Sequence, residues 1–220
     1  MHQPTKVGFR TIGTTIVVLL FGGALMGCNL LTPFIFVGDH KKKIPAEFDK
    51  LPGSRVAVLV WVDQAVLFDY AHARFEVATY LGDKLATEFA QRKQNVDVVD
   101  PRDVEDFVQK NYSARLDPDL VGRKFNADFV VYVEVLAFQF RNPAHPQLLQ
   151  GNIEASVAVF DMNGESNRSR RYELTPVRCL HPDKGPVTMT ATNSPLLREA
   201  TYRKFAEEVA RKFYEHTVEL

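Results

Sequence analysis

Residues 55–62 read Arg-Val-Ala-Val-Leu-Val-Trp-Val, an apolar run rich in β-branched residues that no polar residue interrupts after Arg55. Such a run predicts a central strand covered on both faces, because a strand with one wet face would alternate apolar and polar residues. Residues 128–141 form the strongest strand pattern of the chain, apolar on both faces until Glu134 and Gln139. The sequence therefore predicts at least two strands in the interior of a sheet.

Helices are predicted around these two strands. Over residues 74–91 an apolar residue recurs every fourth position, at Val77, Leu81, Leu85 and Phe89, which indicates one buried helix face. The pairs Asp100-Pro101 and Asp117-Pro118 are helix-start signals, for helices ending near residues 110 and 125. Ser194-Pro195 starts the last helix. Its predicted inner row is Leu197, Thr201, Phe205, Val209 and Phe213, flanked by Tyr202, Ala206, Ala210 and Tyr214. Its predicted outer face is Arg203, Lys204, Glu207, Glu208, Arg211 and Lys212.

The remaining strands set the fold class. Short strands are predicted at residues 96–99, 153–159 and 170–180, and Asn163-Gly164 is a hairpin-turn signal before the last of them. The connections among the last three strands are too short for crossovers, which favours antiparallel pairing. The predicted order is βαβααβββα, an α+β fold with a mixed sheet and helices packed on it, forming one domain over residues 55–220.

The start of the chain has the layout of an export signal. Lys6 and Arg10 precede an apolar stretch at residues 12–27, which is shorter than the roughly 20 residues that cross a bilayer. The stretch ends in Leu25-Met26-Gly27-Cys28, which resembles the bacterial lipobox. That resemblance implies a signal peptide at residues 1–27, cleavage before Cys28, and acyl chains such as palmitate on Cys28. Several acyl chains anchor a protein more firmly than one does. Residues 29–54 are then predicted to be a tether.

The alternative is an uncut transmembrane helix over residues 12–37, since apolar residues continue after Cys28. Asn29 and Pro33 interrupt that run and favour the lipidated form. Asn29 is also not the aspartate that keeps enteric lipoproteins in the inner membrane. An outer-membrane location facing the periplasm is therefore favoured, within the cell envelope.

The order of elements and several motifs resemble a group of bacterial envelope proteins. The motifs are the strand Arg55–Val62, Leu85-Ala86-Thr87-Glu88-Phe89, Val98-Val99-Asp100, residues 125–131 reading FNADFVV, and residues 157–165. The group comprises the curli-secretion and Pel-export lipoproteins, the penicillin-binding-protein activator lipoproteins and the amino-terminal domain of TolB. The resemblance implies an anticodon-binding-like domain. It also implies an adaptor rather than a pore, because residues 141–150 are too few for membrane-inserted hairpins.

The composition and the cysteine content limit the kinds of function that the sequence supports. The chain has 27 basic and 27 acidic residues, and without residues 1–27 its net charge is −2, so no nucleic-acid partner is expected. The other cysteine, Cys179, is expected to be a buried apolar residue. His72, His145 and His181 have no metal-ligand spacing, so no metal or cofactor is predicted. No catalytic motif is present and no enzyme is predicted. Asp63 is expected to serve the turn after its strand, and Glu134 to lie where one sheet face meets solvent or a partner.

The predicted interface is the segment after the first strand, with Val66, Leu67, Phe68 and Tyr70. Large apolar residues in a connection either tuck under a sheet or contact a partner, and both readings stay open. The loop at residues 142–149 is a second candidate. The leading hypothesis is a non-catalytic assembly or adaptor component, oligomeric or bound to a protein partner, in secretion or polysaccharide export. The rivals are an envelope-located enzyme or small-ligand binder, and a single-pass membrane protein.

Overall fold

The predicted central strands are both present in the computed structural model, which describes residues 41–141, 145–164, 169–190 and 193–219. The strands are β1 Lys41–Ile44, β2 Arg55–Val62, β3 Asp97–Val98, β4 Phe129–Arg141, β5 Leu148–Asp161, β6 Arg170–His181, β7 Val187–Thr188 and β8 His216–Glu219. The helices are α1 Gln64–Asp69, α2 Ala73–Gln91, α3 Pro101–Lys110, α4 Pro118–Phe125 and α5 Asn193–Ala210, with 3-10 turns at Tyr112–Leu116 and Arg211–Phe213.

The main sheet is mixed, as predicted. Its strand order is β3-β2-β4-β5-β6, with β7 paired to part of β5. Strand β2 is parallel to β3 and β4, whereas β4, β5 and β6 are antiparallel in sequence. The two parallel pairings need helical crossovers, and the predicted helices supply them. The predicted α+β class and mixed sheet are confirmed.

One face of the sheet is covered by α2 and α5. Side chains at alternate positions of β2, such as Val56, Val58 and Val60, join Leu81 and Phe205 in this core. The predicted inner row of α5 is buried throughout. Gly151 of β5 allows the helix to approach closely, since a Cβ there would lie 2.2 Å from Thr201 Oγ1.

The opposite face is covered only in part, by α3 and α4. Ala57 and Leu59 of β2 pack there with Val104, Val108 and Val121. Asp100 and Asp117 begin these helices as predicted, because their carboxylates accept hydrogen bonds from the amides of Arg102 at 2.8 Å and Leu120 at 3.0 Å. On β5 and β6 the same face carries polar residues, among them the ion pair of Arg178 with Glu154 at 2.9 Å.

Two compact units are distinguished along the chain. The larger is Lys43–His216, and the other includes, among the described residues, 41–42 and 217–219. Strands β1 and β8 pair in a separate two-stranded sheet. Neither strand was predicted, since four residues show no clear alternation.

The stretch predicted as a tether is partly packed. Phe48 and Leu51 are buried in the core, and the Phe48 ring lies 5.4 Å from that of Phe129 and 5.2 Å from that of Tyr172. The packed part of the chain therefore starts before Arg55, because these two large apolar residues are buried in the main core. Leu25, Met26, Gly27 and Cys28 lie outside the described residues.

Within the described ranges, no helix is long and apolar enough to cross a membrane. The apolar segment at residues 12–37 lies outside those ranges, so both forms of membrane attachment stay predictions.

Candidate functional site

The predicted interface segment forms a short helix, α1, directly after the central strand β2. Asp63 begins it, because its carboxylate accepts a hydrogen bond from the amide of Ala65 at 2.7 Å. This is the turn role expected for Asp63. The six residues of α1 show too little periodicity for the sequence to indicate a helix.

Helix α1 separates the four predicted interface residues into two sets. Val66, Leu67 and Tyr70 are partly buried against the main core. Phe68 points outward and is 90% exposed. Burial of a Phe side chain stabilises a folded protein by about 1.5–3 kcal/mol. Because Phe68 is exposed, it does not contribute this free energy to the domain. The tucked reading thus holds for Val66, Leu67 and Tyr70, and the partner-facing reading stays a prediction for Phe68.

A cluster of aromatic rings supports α1 through Tyr70, the residue directly after the helix. The Tyr70 ring lies 5.1 Å from Phe138 and 5.3 Å from Phe140, and both of these rings contact Tyr202 of α5. Edge-on and tilted aromatic contacts add to the stabilisation from burial. Phe68 is therefore presented by a well-supported element and not by an unanchored loop.

A cavity of about 310 Å³ lies next to this cluster. Its apolar part comes from Tyr70, Phe140, Leu149 and Pro195, and its polar part from Asp69, Arg141, Ser194 and Arg198. Burial raises the pKa of the Tyr70 phenol, while the nearby Arg141 and Arg198 guanidinium groups oppose that rise. The hydroxyl consequently stays protonated near neutral pH and can donate a hydrogen bond.

A second groove, of about 320 Å³, lies between the start of α2 and α3. Its lining includes His72, Glu105 and Asp106. Glu105 is held by Arg74, whose Nε and Nη2 donate to its two carboxylate oxygens at 2.7 and 2.5 Å. Burial alone would raise the pKa of Glu105, but the hydrogen bonds from Arg74 and Gln109 outweigh it and lower that pKa. The carboxylate is therefore part of an ion pair that joins two helices.

The other residues considered from the sequence have plain structural positions. Cys179 is buried, its thiol points to the carbonyl of Thr201 at 3.8 Å, and burial raises its pKa to about 11. Glu134 is half-buried beside Ser156 on the partly covered sheet face, as expected. His72 and His145 are exposed, and His181 is half-buried at the end of β6. Across the described part of the chain, no three His, Cys, Asp or Glu side chains are placed to hold a metal ion.

One polar network was missed by the sequence. Lys212 was predicted to face water, but it is only 8% exposed and its Nζ donates to Glu47 at 2.8 Å and to Thr175 at 3.0 Å. The Glu47 carboxylate also accepts from the Thr175 amide at 2.8 Å, on the outer edge of β6. The network joins the entering chain, the edge strand and the end of the last helix. Three residues so far apart in the sequence leave no local signal.

The chain matches no protein-family model and no curated protein. Among solved structures, PelC from Paraburkholderia phytofirmans, solved as a dodecamer, has a TM-score of 0.40 and 7% identity over 79% of this chain and 98% of its own. Lipoprotein GNA1162 from Neisseria meningitidis has a TM-score of 0.37 and 12% identity, covering 70% of this chain and 99% of its own. The hypothetical protein CT253 from Chlamydia trachomatis has a TM-score of 0.37 and 14% identity, covering 72% of this chain and 96% of its own.

PelC and a lipoprotein are thus among the solved structures that are similar to this chain, at low identity. Because each TM-score is below 0.5, these likenesses carry no inference about the assembly or the function of this chain.

Proposed function

We propose that this protein is an envelope lipoprotein, anchored through lipid on Cys28, that serves as a non-catalytic assembly component and associates through the surface around Phe68. The observation that carries the proposal is the 90% exposure of Phe68 on an ordered, capped helix. The proposed location is the periplasmic side of the outer membrane, and the proposed setting is secretion or polysaccharide export.

The anchor is supported by the sequence. Leu25-Met26-Gly27 before Cys28, after a positively charged start and an apolar stretch, is the pattern expected of a lipoprotein signal. A protein held on a membrane diffuses in two dimensions and meets its partners at a raised effective concentration. A single exposed aromatic residue is then a reasonable centre for an interface, since a few aromatic side chains carry much of the binding energy in known complexes.

The association is tested by light scattering on the full-length protein in detergent, comparing the wild type with Phe68→Asp. The proposal predicts a wild-type species larger than one chain that shifts towards the monomer in the variant, because a buried unpaired carboxylate opposes association. Tyr112→Asp is the matched control, since Tyr112 is also a surface aromatic residue, 74% exposed, and belongs to the helical layer on the other sheet face.

A wild-type protein that is a strict monomer and that Phe68→Asp does not change would contradict association through this surface. An oligomer that Tyr112→Asp disrupts and Phe68→Asp does not would place the interface elsewhere.

The alternative function is an envelope-located enzyme or small-ligand binder. The groove between α2 and α3 is its best support, because His72 and Asp106 line it together. Glu105 is engaged by Arg74, which leaves those two as the groups available for proton transfer there. A further alternative is a single-pass membrane protein with the same domain. The amino terminus of the mature chain distinguishes it from the proposed lipoprotein.

A further inference from the structure

We infer that the cavity beside the aromatic cluster is a binding site for a carboxylate group carried on a small apolar or aromatic body. The cavity of about 310 Å³ joins two guanidinium groups, those of Arg141 and Arg198, to an apolar floor. Its volume is at the lower end of the range found for small-ligand pockets, about 300–1,000 Å³. The inference does not rest on the proposed function.

The two arginines are available to an incoming anion. Neither Arg141 nor Arg198 forms an ion pair with a carboxylate among the described residues, whereas Arg203 on the same helix pairs with Glu199 at 2.7 Å. Both arginines line the cavity together with Tyr70, and their guanidinium groups oppose the rise in the pKa of its phenol. Arginine presents a planar fork of N–H donors that matches the two oxygens of a carboxylate.

The charge of the cavity favours an anion. Asp69 lines the same space as Arg141 and Arg198, so the charged side chains leave a single net positive charge. Inorganic phosphate has no apolar body to lie on Phe140, Leu149 and Pro195, so a carboxylate on an apolar body is the ligand that uses both parts of the cavity.

Further donors and the apolar floor complete the site. The Tyr70 hydroxyl and Ser194, at the start of the 18-residue helix α5, line the cavity beside the arginines. Phe140, Leu149 and Pro195 supply the surface on which an apolar body would lie.

The test is isothermal titration of the full-length protein in detergent with 3-phenylpropionate, its uncharged amide, and inorganic phosphate. We expect saturable binding of the carboxylate, and binding of the amide and of phosphate weaker by about tenfold or more, because the amide has no negative charge for the arginines and phosphate has no apolar body for the floor. Arg141→Gln and Arg198→Gln are each expected to weaken carboxylate binding by about fivefold or more. Arg203→Gln, on the exposed side of α5, is the matched control and is expected to bind as the wild type does.

The inference is overturned if the wild type does not bind 3-phenylpropionate, if the amide or phosphate binds equally well, or if both arginine variants bind normally. Should a variant fail to fold, as judged by its thermal melt, the comparison of acid and amide on the wild type decides the matter.

Discussion

Lys212 is the charged residue whose position differs most from the prediction. Its ammonium group is buried between the Glu47 carboxylate and the Thr175 hydroxyl, and the carbonyl of Lys212 itself accepts hydrogen bonds from the amides of Glu47 and Phe48 at 2.8 and 3.1 Å. The network thus attaches the segment that precedes β2 to the sheet edge. The Glu47 carboxylate also covers the Thr175 amide of edge strand β6, which limits pairing of that strand with other chains.

We expect Lys212→Met to lower the free energy of unfolding by about 1–2 kcal/mol, a value reduced by the partial solvent exposure of Glu47. Urea unfolding monitored by circular dichroism measures this change. Lys110→Met, at an exposed position near the end of α3, is the control and should stay within about 0.5 kcal/mol of the wild type. Equal effects of the two substitutions would contradict a structural role for the network.

Glu105 makes stability depend on pH. Because its pKa in the folded state is lowered by Arg74 and Gln109, the folded state binds its proton less readily than the unfolded state, whose pKa is about 4.3. The ion pair therefore stabilises the domain above that pH, and this stabilisation is lost as the pH falls through the folded-state pKa.

We expect Glu105→Gln to be less stable than the wild type by about 1–3 kcal/mol near pH 7, with the difference closing below about pH 4. Urea unfolding at a series of pH values measures the gap. The control Asp83→Asn, at an exposed position of α2 outside its first turn, should show a much smaller gap. A difference that is independent of pH would exclude the ion pair as its source.

At the scale of elements, the contact of α5 with β5 depends on a residue without a side chain. A Cβ on Gly151 would lie 2.2 Å from Oγ1, 2.5 Å from Cγ2 and 2.8 Å from Cβ of Thr201, which is closer than non-bonded atoms approach. We expect Gly151→Ala to destabilise the domain by about 1–3 kcal/mol, measured by thermal unfolding.

Adding Thr201→Ala to Gly151→Ala should recover part of this loss, because it removes the two nearest atoms and leaves only the Cβ contact. Thr201→Ala alone removes the hydrogen bond from its hydroxyl to the carbonyl of Leu197 at 2.7 Å and serves as the reference. Strict additivity of the two substitutions would contradict the steric explanation.

The elements that the sequence predicted well are those with strong local signals. The apolar run of β2, the Asp-Pro starts of α3 and α4, and the fourfold repeat of α2 each appear within a few residues of the predicted bounds. Helix α1 and the strands β1, β7 and β8 are too short to show a period. Their positions depend on pairing or packing with distant residues, which a single sequence does not display.

The candidate site, like the fold, could be predicted only in part from the sequence. The segment with Val66, Leu67, Phe68 and Tyr70 could be selected from its composition, but only the orientation of α1 decides that Phe68 is exposed and the other three pack inward. The cavity with Arg141 and Arg198 could not be predicted, because its walls come from residues more than fifty positions apart.

At the scale of the whole molecule, the packing of Phe48 shortens the stretch between Cys28 and the packed core. About 20 residues separate Cys28 from Phe48, a stretch that spans at most about 70 Å when fully extended. A lipid on Cys28, as proposed, would therefore keep the domain, with Phe68 and the proposed carboxylate site, close to one membrane surface.

The most direct test of the proposed anchored protein is intact-mass and peptide mass spectrometry of the amino terminus of the full-length protein extracted from bacterial membranes. The account predicts that the mature chain begins at Cys28 and carries diacylglycerol and further acyl chains, and that Cys28→Ala abolishes this mass shift and the cleavage. A chain that retains residues 1–27 and bears no lipid would contradict it and would identify a protein held by its apolar segment.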